Sequence, residues 1–451
     1  MSFSTLSRRH VLQLMAATTA LPLASLPVFA QASGVRAVVL SDLHSAYERM
    51  GQVLAAVETQ VGDNGVNLIL INGDVFESGN VAAARSQGQV DWAFLEQLAG
   101  LAPTVINIGN HEPDFDNDLA NFVTQAEAIG IFVVSTIVDS RTGAPYAPAE
   151  VLVTVGDHQV QVVGVATDAI NTYPKPTRDM ITIPAPAAWA AEKLPAMVTG
   201  DMITIVLSHA GVVADRDILP LMPAGTLLVG GHDHLRLVHE ADDVAYVHTG
   251  SWSSLISIVD LAAPGVAPVV VQAEVERDAP ANQDLAAIIA AVLEEHLTEE
   301  ERASVGQLAE AMTLAESGRY VAARIAEAAG ADVGFIGHTS FGTGFPAGPI
   351  STFDYNSVLR FEGKIVTAEV DATTLAEIMA RTNQDGDIAL EARTGDFLYA
   401  APGDLAAKDS YILAGNDWSF INQKNYFGRE DLVYTEVDGL MLKPTIAATL
   451  K

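Results

Sequence analysis

The chain has 451 residues, of which 49% are hydrophobic and 35 are glycine, so it can bury a sizeable core and exceeds the length of one ordinary domain. Lys and Arg number 24 against 56 Asp and Glu, which gives a formal net charge of −32 at pH 7. So acidic a surface repels nucleic acid and anionic membranes, and neither is expected as a partner. The chain has no cysteine, which excludes disulfides and thiolate metal ligands.

The N-terminus has the pattern of an export signal. Arg8-Arg9 precedes a moderately apolar stretch, and Ala30-Gln31-Ala32 offers a small-residue cleavage site. This pattern is similar to a twin-arginine signal peptide, while a membrane anchor is the alternative. We expect residues 1–32 to be a signal peptide that takes the precursor to the twin-arginine export machinery. The mature protein would then be periplasmic or secreted, without stable membrane insertion.

From residue 35 onward, apolar runs alternate with amphipathic segments. Residues 35–40, 66–71 and 105–108 are predicted to be buried strands, and residues 50–61 and 92–101 are predicted to be helices. Strands that alternate with helices in this order favour a largely parallel sheet.

Strands become more frequent after residue 150. Residues 151–155 and 160–165 suit an antiparallel hairpin with a four-residue loop. A helix is predicted near residues 215–221. Further strands are predicted at residues 203–207, 226–229, 246–248, 255–259 and 269–275. Two sheets with helices outside them would account for this mixture.

The rest of the chain is predicted to hold a linker and a second domain. Residues 281–316 are charged and predict a helical linker with a solvated face. Residues 317–451 predict a smaller α/β C-terminal domain after a first domain at 33–280. The fold class is therefore α/β: a two-sheet sandwich flanked by helices, followed by a smaller α/β domain.

Polar segments rich in Asp, Asn and His follow the predicted strands, and they hold five of the eleven histidines. The C-terminal ends of parallel strands meet at one edge of a sheet, so these side chains can converge. Asp42 and His44, and likewise His232 and His234, are two residues apart and would point the same way in an extended segment. Imidazole and carboxylate groups are metal ligands, so we predict a metal site rather than a set of core histidines. The segments are Asp42-Leu43-His44, Gly73-Asp74, Gly109-Asn110-His111-Glu112, Ser208-His209 and Gly231-His232-Asp233-His234.

This ordered set of motifs resembles the calcineurin-like metallophosphoesterases over roughly residues 35–275. The resemblance implies two divalent metal ions, whose identity (Mn, Zn, Fe or Co) nitrogen and oxygen ligands do not fix. It implies in-line attack on phosphorus by a metal-bound hydroxide. His111 would stabilise the transition state or protonate the leaving oxygen, oriented by Asp114. The implied ligands are Asp42, His44, Asp74 and His234 for one ion, and Asp74, Asn110, His209 and His232 for the other, with Asp74 bridging.

The C-terminal residues are similar to the second domain of the 5'-nucleotidases. The similarity lies mainly in residues 345–367, whereas residues 337–342 lack the arginine that the family places there. Tyr426 and Phe427 are candidates for stacking on a base, although aromatic side chains also serve simply as core.

The resemblance therefore implies a secreted dinuclear phosphohydrolase, 5'-nucleotidase-like, that hydrolyses nucleotides or other small phosphoesters. One alternative is a thiosulfohydrolase-like sulfur-oxidation enzyme with the same dinuclear site. Another is a non-catalytic binding protein on the same fold.

Overall fold

Continuous apolar runs form the central strands, as expected where both faces of a sheet are covered. The computed structural model describes residues 34–62, 65–403 and 405–451, which form one compact unit. The predicted signal peptide at 1–32 lies outside the described residues. The predicted domain boundaries at 280 and 316 stay predictions.

The described residues of the first part of the chain form fourteen strands. They are β1 (Val35–Leu40), β2 (Asn67–Ile71), β3 (Thr104–Asn107), β4 (Phe132–Val134), β5 (Val138–Asp139), β6 (Glu150–Val155), β7 (His158–Ala166), β8 (Ile181–Thr182), β9 (Ile203–His209), β10 (Leu227–Gly230), β11 (Arg236–Ala241), β12 (Val244–Thr249), β13 (Leu255–Leu261) and β14 (Val269–Glu274).

Helices lie between and after these strands. They are α1 (Met50–Gly62), α2 (Val81–Ser86), α3 (Gln89–Leu101), α4 (Leu119–Ala128), α5 (Pro186–Met197), α6 (Val212–Ile218) and α7 (Gln283–His296).

Two six-stranded sheets pack face to face, which confirms the predicted sandwich. Their strand orders are β14-β13-β1-β2-β3-β4 and β11-β12-β10-β9-β7-β6. Strands β1 to β4 run parallel, and so do β7, β9, β10 and β12. Apolar side chains from both sheets, such as Val39, Leu70, Ile205 and Val229, share one buried layer. Helices α1, α3, α4 and α7 cover the outer face of the first sheet.

The strand register brings the C-terminal ends of the central strands level with one another. Leu40 pairs with Ile71, Ile71 pairs with Ile106, and Ser208 pairs with Gly230. The loops that follow β1, β2, β3, β9 and β10 therefore emerge at one edge of the sandwich.

The strands of the C-terminal part are β15 (Ser304–Leu308), β16 (Val333–Gly337), β17 (Gly348–Ser351), β18 (Lys364–Val370), β19 (Leu398–Pro402), β20 (Tyr411–Asn416) and β21 (Tyr434–Met441). Five of them form one sheet in the order β19-β16-β20-β18-β21, and β15 pairs with β17 in a separate sheet. The helices of the C-terminal part are α8 (Glu299–Arg302), α9 (Leu314–Ala329), α10 (Thr352–Val358), α11 (Ala372–Met379), α12 (Asp417–Ile421), α13 (Gln423–Phe427) and α14 (Leu442–Ala447).

The core of the C-terminal part continues into the outer face of the second sheet of the sandwich. Val206 and Leu228 of that sheet belong to the same buried cluster as Val321, Phe341 and Ile365. Because the two parts share apolar surface, each covers side chains that the other would leave in water.

Two local predictions differ from the structure. The hairpin turn has two residues, Gly156 and Asp157, because the strands extend to the Val155–His158 pair, and Gly156 supplies a positive φ of 58°.

The segment 281–316 is not one helix: α7 and α8 are followed by β15, which pairs with β17. Helix α7 also buries Leu285 in the core of the first sheet, so its apolar face is not solvated.

Within the described residues, no helix is both long enough and apolar enough to cross a membrane.

Candidate metal centre and active site

The predicted ligands converge at the edge where the central strands end. Asp42 and His44 follow β1, Asp74 follows β2, and Asn110 and His111 follow β3. His209 is the last residue of β9, and His232 and His234 follow β10. Each predicted ligand lies at the end of a buried strand or in the loop that follows it, which is where parallel sheets build sites.

The local backbone differs from the extended segments that the sequence predicted. Asp42, His44, Asp74, His232 and His234 all adopt positive φ, between 51° and 78°. Non-glycine residues rarely adopt this left-handed region, and such strain concentrates at functional sites. Because the chain turns sharply at these residues, Asp42 and His44 lie together with His234, whereas His232 lies with Asp74 and His209.

Two glycines allow the loops after β2 and β3 to touch. A Cβ on Gly109 would lie 2.4 Å from Oδ1 of Asp74, and one on Gly73 would lie 2.7 Å from the Gly109 nitrogen. Gly73 also has a φ of +75°. A side chain at Gly109 would displace Asp74, and one at Gly73 would displace the Gly109 backbone, so the glycines of the two motifs allow close backbone approach.

Asp42, His44 and His234 form the first cluster, whose ligand atoms all lie within 4.8 Å of one another. Nε2 of His44 lies 2.9 Å from Nε2 of His234, and Nε2 of His234 lies 3.8 Å from Oδ1 of Asp42. Burial lowers the pKa of His44 to about 4 and that of His234 well below its usual value. Both imidazoles are therefore neutral at pH 7, the form that binds metal.

Asp74, His209 and His232 form the second cluster, again within 4.8 Å. Nε2 of His209 lies 3.1 Å from Oδ2 of Asp74, and Nδ1 of His232 lies 2.8 Å from Oδ1 of Asn110. Burial and the neighbouring His209 lower the pKa of His232 to about 4. The four predicted ligands of the second ion therefore lie together.

Asp74 lies between the two clusters. Its Oδ2 is 3.1 Å from Nε2 of His209 and 3.9 Å from Nε2 of His44. Burial would raise the pKa of this carboxyl, but His209 and His111 hold it well below the usual value. A buried, ionised carboxylate facing imidazoles from both clusters is the arrangement that a bridging ligand requires.

The donor set fits divalent metal ions. Among the described residues, Nε2 of His209 is buried without a hydrogen-bond partner, although it faces the carboxylates. Nδ1 of the same ring can donate to the Asn72 carbonyl oxygen at 2.6 Å, so Nε2 is the ring nitrogen that faces the site. The nitrogen and oxygen ligands suit Mn, Fe, Co or Zn.

His111 stands beside the clusters, and its side chain is 19% exposed. Its Nδ1 lies 2.9 Å from Oδ2 of Asp114, which also accepts a hydrogen bond from the Ser78 nitrogen at 2.7 Å. Burial opposes protonation of His111, but Asp114, Asp74 and Glu77 outweigh it and raise the pKa to about 10. The hydrogen bond to Asp114 leaves Nε2 as the ring nitrogen of His111 that can donate a proton.

Several residues that support the site were not identified from the sequence. Asn72 donates to the carbonyl oxygens of Ser208 (2.9 Å) and Val229 (3.2 Å), and accepts from Asn107 at 3.0 Å. These bonds join the two sheets directly beneath the clusters. Glu77, Trp252 and Arg360 surround His44. Glu77 and Trp252 follow no motif, and Arg360 lies in the segment 345–367 without being predicted as a site residue.

Neither Tyr426 nor Phe427 presents a free ring face to the metal clusters. Tyr426 is 3% exposed and Phe427 is 1% exposed, and Phe427 packs against Phe335 and Phe420. Both rings belong to the core of the C-terminal sheet. A base-stacking role for them stays a prediction that this packing does not favour.

Comparison with known proteins agrees with this geometry. Residues 35–236 match the model of the calcineurin-like phosphoesterase family. In the comparison with curated proteins, nothing matches.

Several solved structures share the fold over nearly the whole chain. A 5'-nucleotidase precursor from Thermus thermophilus has a TM-score of 0.61 at 18% identity, covering 92% of this chain and 96% of that chain. The sulfate thiohydrolase SoxB of Thermus thermophilus has a TM-score of 0.64 at 14% identity, covering 94% of both chains. A 5'-nucleotidase from Candida albicans has a TM-score of 0.59 at 12% identity, covering 93% of this chain and 98% of that chain.

Proposed function

The chain carries a calcineurin-like phosphoesterase domain at residues 35–236 and is a metal-dependent phosphoester hydrolase; from this premise we propose that it is a dinuclear, 5'-nucleotidase-like enzyme. Its substrates are nucleotides or other small phosphoesters. The observation that carries the proposal is the position of Asp74, whose Oδ2 faces His44 on one side and His209 on the other.

The two clusters would hold one divalent ion each. Asp42, His44 and His234 would bind the first, Asn110, His209 and His232 the second, and Asp74 would bind both. When bound, the ions supply positive charge to the phosphoryl oxygens and lower the pKa of a water molecule. The negative net charge of the chain makes this local positive charge necessary for an anionic substrate.

His111 is the proposed general acid. Its hydrogen bond to Asp114 fixes one ring nitrogen, so the other can hold a proton toward the leaving oxygen. The Asp114 carboxylate keeps the ring protonated and oriented.

The C-terminal part offers one accessible aromatic ring next to this site. Phe361 is 47% exposed, and its ring centre lies 4.9 Å from the guanidinium carbon of Arg360, which pairs with Glu77 beside His44. A nucleobase can stack on such a ring. We expect Phe361→Ala to raise KM for AMP and to leave KM for a generic aryl phosphate unchanged; equal effects on both substrates would argue against a base platform.

We further propose that the protein is exported through the twin-arginine route, on the evidence of Arg8-Arg9 and the cleavage pattern before residue 33. Replacing both arginines with lysine should keep the precursor in the cytoplasm. Unchanged export of that variant would contradict the proposal.

A substrate panel tests the enzymatic proposal. Purified protein with measured metal content is assayed against nucleoside mono- and diphosphates, cyclic nucleotides, sugar phosphates and an aryl phosphate. We expect nucleotide hydrolysis that falls about 10²- to 10⁴-fold in His111→Ala, the contribution typical of a general acid. His239→Ala, a half-buried histidine on the edge strand β11, is the matched control and should retain full activity.

The panel also separates the alternatives. A protein that binds two metal ions but hydrolyses none of these substrates would favour the thiosulfohydrolase-like alternative, because the SoxB fold is shared equally well. A protein that binds no metal would favour a non-catalytic binding protein.

A further inference from the structure

A buried ion pair links the C-terminal part of the chain to the metal-binding part. Arg360 forms it with Glu77, and 283 positions separate the two residues in the sequence. Each side chain is only 6% exposed. Such a pair is rarely found buried without a specific reason, because removing two charges from water is unfavourable.

Arg360 is held by contacts on several sides. Its guanidinium carbon lies 4.7 Å from the ring centre of Trp252, and Trp252 stacks on the His44 ring with 4.9 Å between the ring centres. One terminal nitrogen of Arg360 donates to the Thr339 carbonyl oxygen at 3.3 Å. Among the described residues, its buried Nε has no hydrogen-bond partner. The guanidinium therefore lies directly beside the first metal cluster.

Glu77 connects Arg360 to His44. Its Oε2, which pairs with Arg360, also lies 3.5 Å from Nδ1 of His44. The other nitrogen of the His44 ring, Nε2, faces His234 at 2.9 Å and Asp74 at 3.9 Å. A carboxylate behind a metal-binding imidazole fixes the tautomer and the direction of the ring.

Neither the Arg360 guanidinium nor the Glu77 carboxylate is stable in its buried position without the other. Without Arg360, the Glu77 carboxylate would be buried with no cation beside it and would have to move. The orientation of His44 therefore depends on a residue from the C-terminal part.

We propose that Arg360 is a positioning residue that acts through Glu77 on His44, so that the C-terminal part sets the affinity of the cluster Asp42, His44 and His234 for its divalent ion. The inference rests on the proposed dinuclear site and adds to it a determinant from outside the matched domain.

Mn²⁺ titration of the metal-free full chain tests the proposal, with free Mn²⁺ measured by electron paramagnetic resonance. Both Glu77→Ala and Arg360→Met should weaken one of two Mn²⁺ sites about 10- to 100-fold, the usual effect of losing a residue behind a metal ligand. The double variant should bind no more weakly than the weaker single variant, because the two residues act in series.

Two conservative variants and one control complete the design. Glu77→Gln keeps an acceptor for His44 and Arg360→Lys keeps the charge, so each should recover part of the Mn²⁺ affinity. If circular dichroism shows that Glu77→Ala or Arg360→Met is unfolded, the conservative variant at the same position takes its place in the titration. Arg277→Met removes another contact to the C-terminal part, the 3.2 Å hydrogen bond to Thr343, and should leave Mn²⁺ affinity unchanged.

Each contrary result has a distinct meaning. Wild-type affinity in Arg360→Met, or higher affinity from relief of charge repulsion, would overturn the proposed action through Glu77. Additive losses in the double variant would overturn it as well. Wild-type protein with fewer than two Mn²⁺ sites would instead refute the proposed function, on which the inference rests.

Discussion

Several of the predicted ligand residues adopt backbone conformations that residues with a side chain rarely adopt. Five of them have positive φ, which costs roughly 1 kcal/mol or more for each non-glycine residue. Asp42 illustrates how such a conformation is held: its backbone nitrogen donates to the Gly73 carbonyl oxygen at 3.0 Å, and its Oδ1 accepts from the His232 nitrogen at 3.0 Å. Hydrogen bonds from two neighbouring loops therefore hold Asp42 in this conformation.

Asp91 offers a test of buried charge away from the metal clusters. Burial raises its pKa to about 7, although Ser45 and Tyr47 donate hydrogen bonds to it. Because the folded chain holds this proton more tightly than the unfolded chain does, stability falls as the pH rises from about 4 to 7. We expect Asp91→Asn to stabilise the protein at pH 8 by on the order of 1–3 kcal/mol and to lose this advantage toward pH 4.

Urea unfolding at both pH values measures the effect of Asp91→Asn. Asp157→Asn, in the exposed hairpin turn, is the control and should show no pH-dependent difference. Equal stability of Asp91→Asn and wild type at pH 8 would mean that the carboxylate is accommodated without penalty.

The sequence predicted the ligand residues because Asp, Asn and His at strand ends are a local pattern, and the structure brings these residues together; their binding of metal stays a prediction. The sequence did not identify Glu77 or Arg360, because an ion pair between distant segments leaves no local pattern. The sequence also does not distinguish a buried arginine from a solvated one. It assigned Tyr426 and Phe427 to substrate, whereas burial in the C-terminal core accounts for both rings. It also missed the turns at the ligands, since Asp and His rarely adopt positive φ.

At the scale of single elements, the approach of two loops determines where Asp74 lies. Gly109 has no space for a methyl group, because a Cβ would meet Oδ1 of Asp74 at 2.4 Å. We expect Gly109→Ala to displace Asp74 and to reduce bound metal to one ion or none per chain, measured by mass spectrometry of the metals. Gly100→Ala, on the exposed side of α3 with nothing near its Cβ, should keep full metal content and gain slight stability. Full metal content in Gly109→Ala would show that the loops can separate without loss of the site.

A buried polar network supports the loops after β9 and β10. His248 lies 3.2 Å from Oδ1 of Asp233 and 3.5 Å from Oδ2 of Asp215, and Asp215 also accepts from Tyr246 at 2.8 Å. Asp233 lies between His232 and His234 in the sequence, two of the predicted ligands, so the network continues to the proposed site.

Removing the histidine of this network would leave two carboxylates buried without a cation. We expect His248→Leu to lower the free energy of unfolding by about 3–5 kcal/mol, the usual penalty for breaking a buried ion pair. His239→Ala should change it by less than about 0.5 kcal/mol, since it alters a surface strand. Denaturant titration measures the free energy of unfolding of both variants. A loss in His248→Leu as small as that in His239→Ala would contradict the proposed role of the network.

At the scale of the whole molecule, the negative charge is spread over a fold whose parts share a core. The net charge of −32 repels itself in the compact state, and salt screens that repulsion. We expect the melting temperature to rise between low and moderate NaCl concentrations, with the effect levelling off as screening saturates. A melting temperature that falls with added NaCl would show that attractive ion pairs outweigh the repulsion.

The sandwich of two sheets was predictable from the sequence because its strands are continuous apolar runs that alternate with helices. The shared core with the C-terminal part was not, since Val206 and Phe341 show nothing in their local sequence that marks them as partners. The contact of Arg360 with the metal-binding part could not be predicted from the sequence for the same reason.

The most direct test of the two-metal site is electron paramagnetic resonance of the full chain loaded with Mn²⁺, together with the metal-to-protein ratio. We expect two Mn²⁺ per chain and an exchange-coupled signal, both lost in Asp74→Ala, because Asp74 faces both clusters. Two uncoupled ions, a single ion, or a coupled pair that survives in Asp74→Ala would contradict the proposed bridged centre.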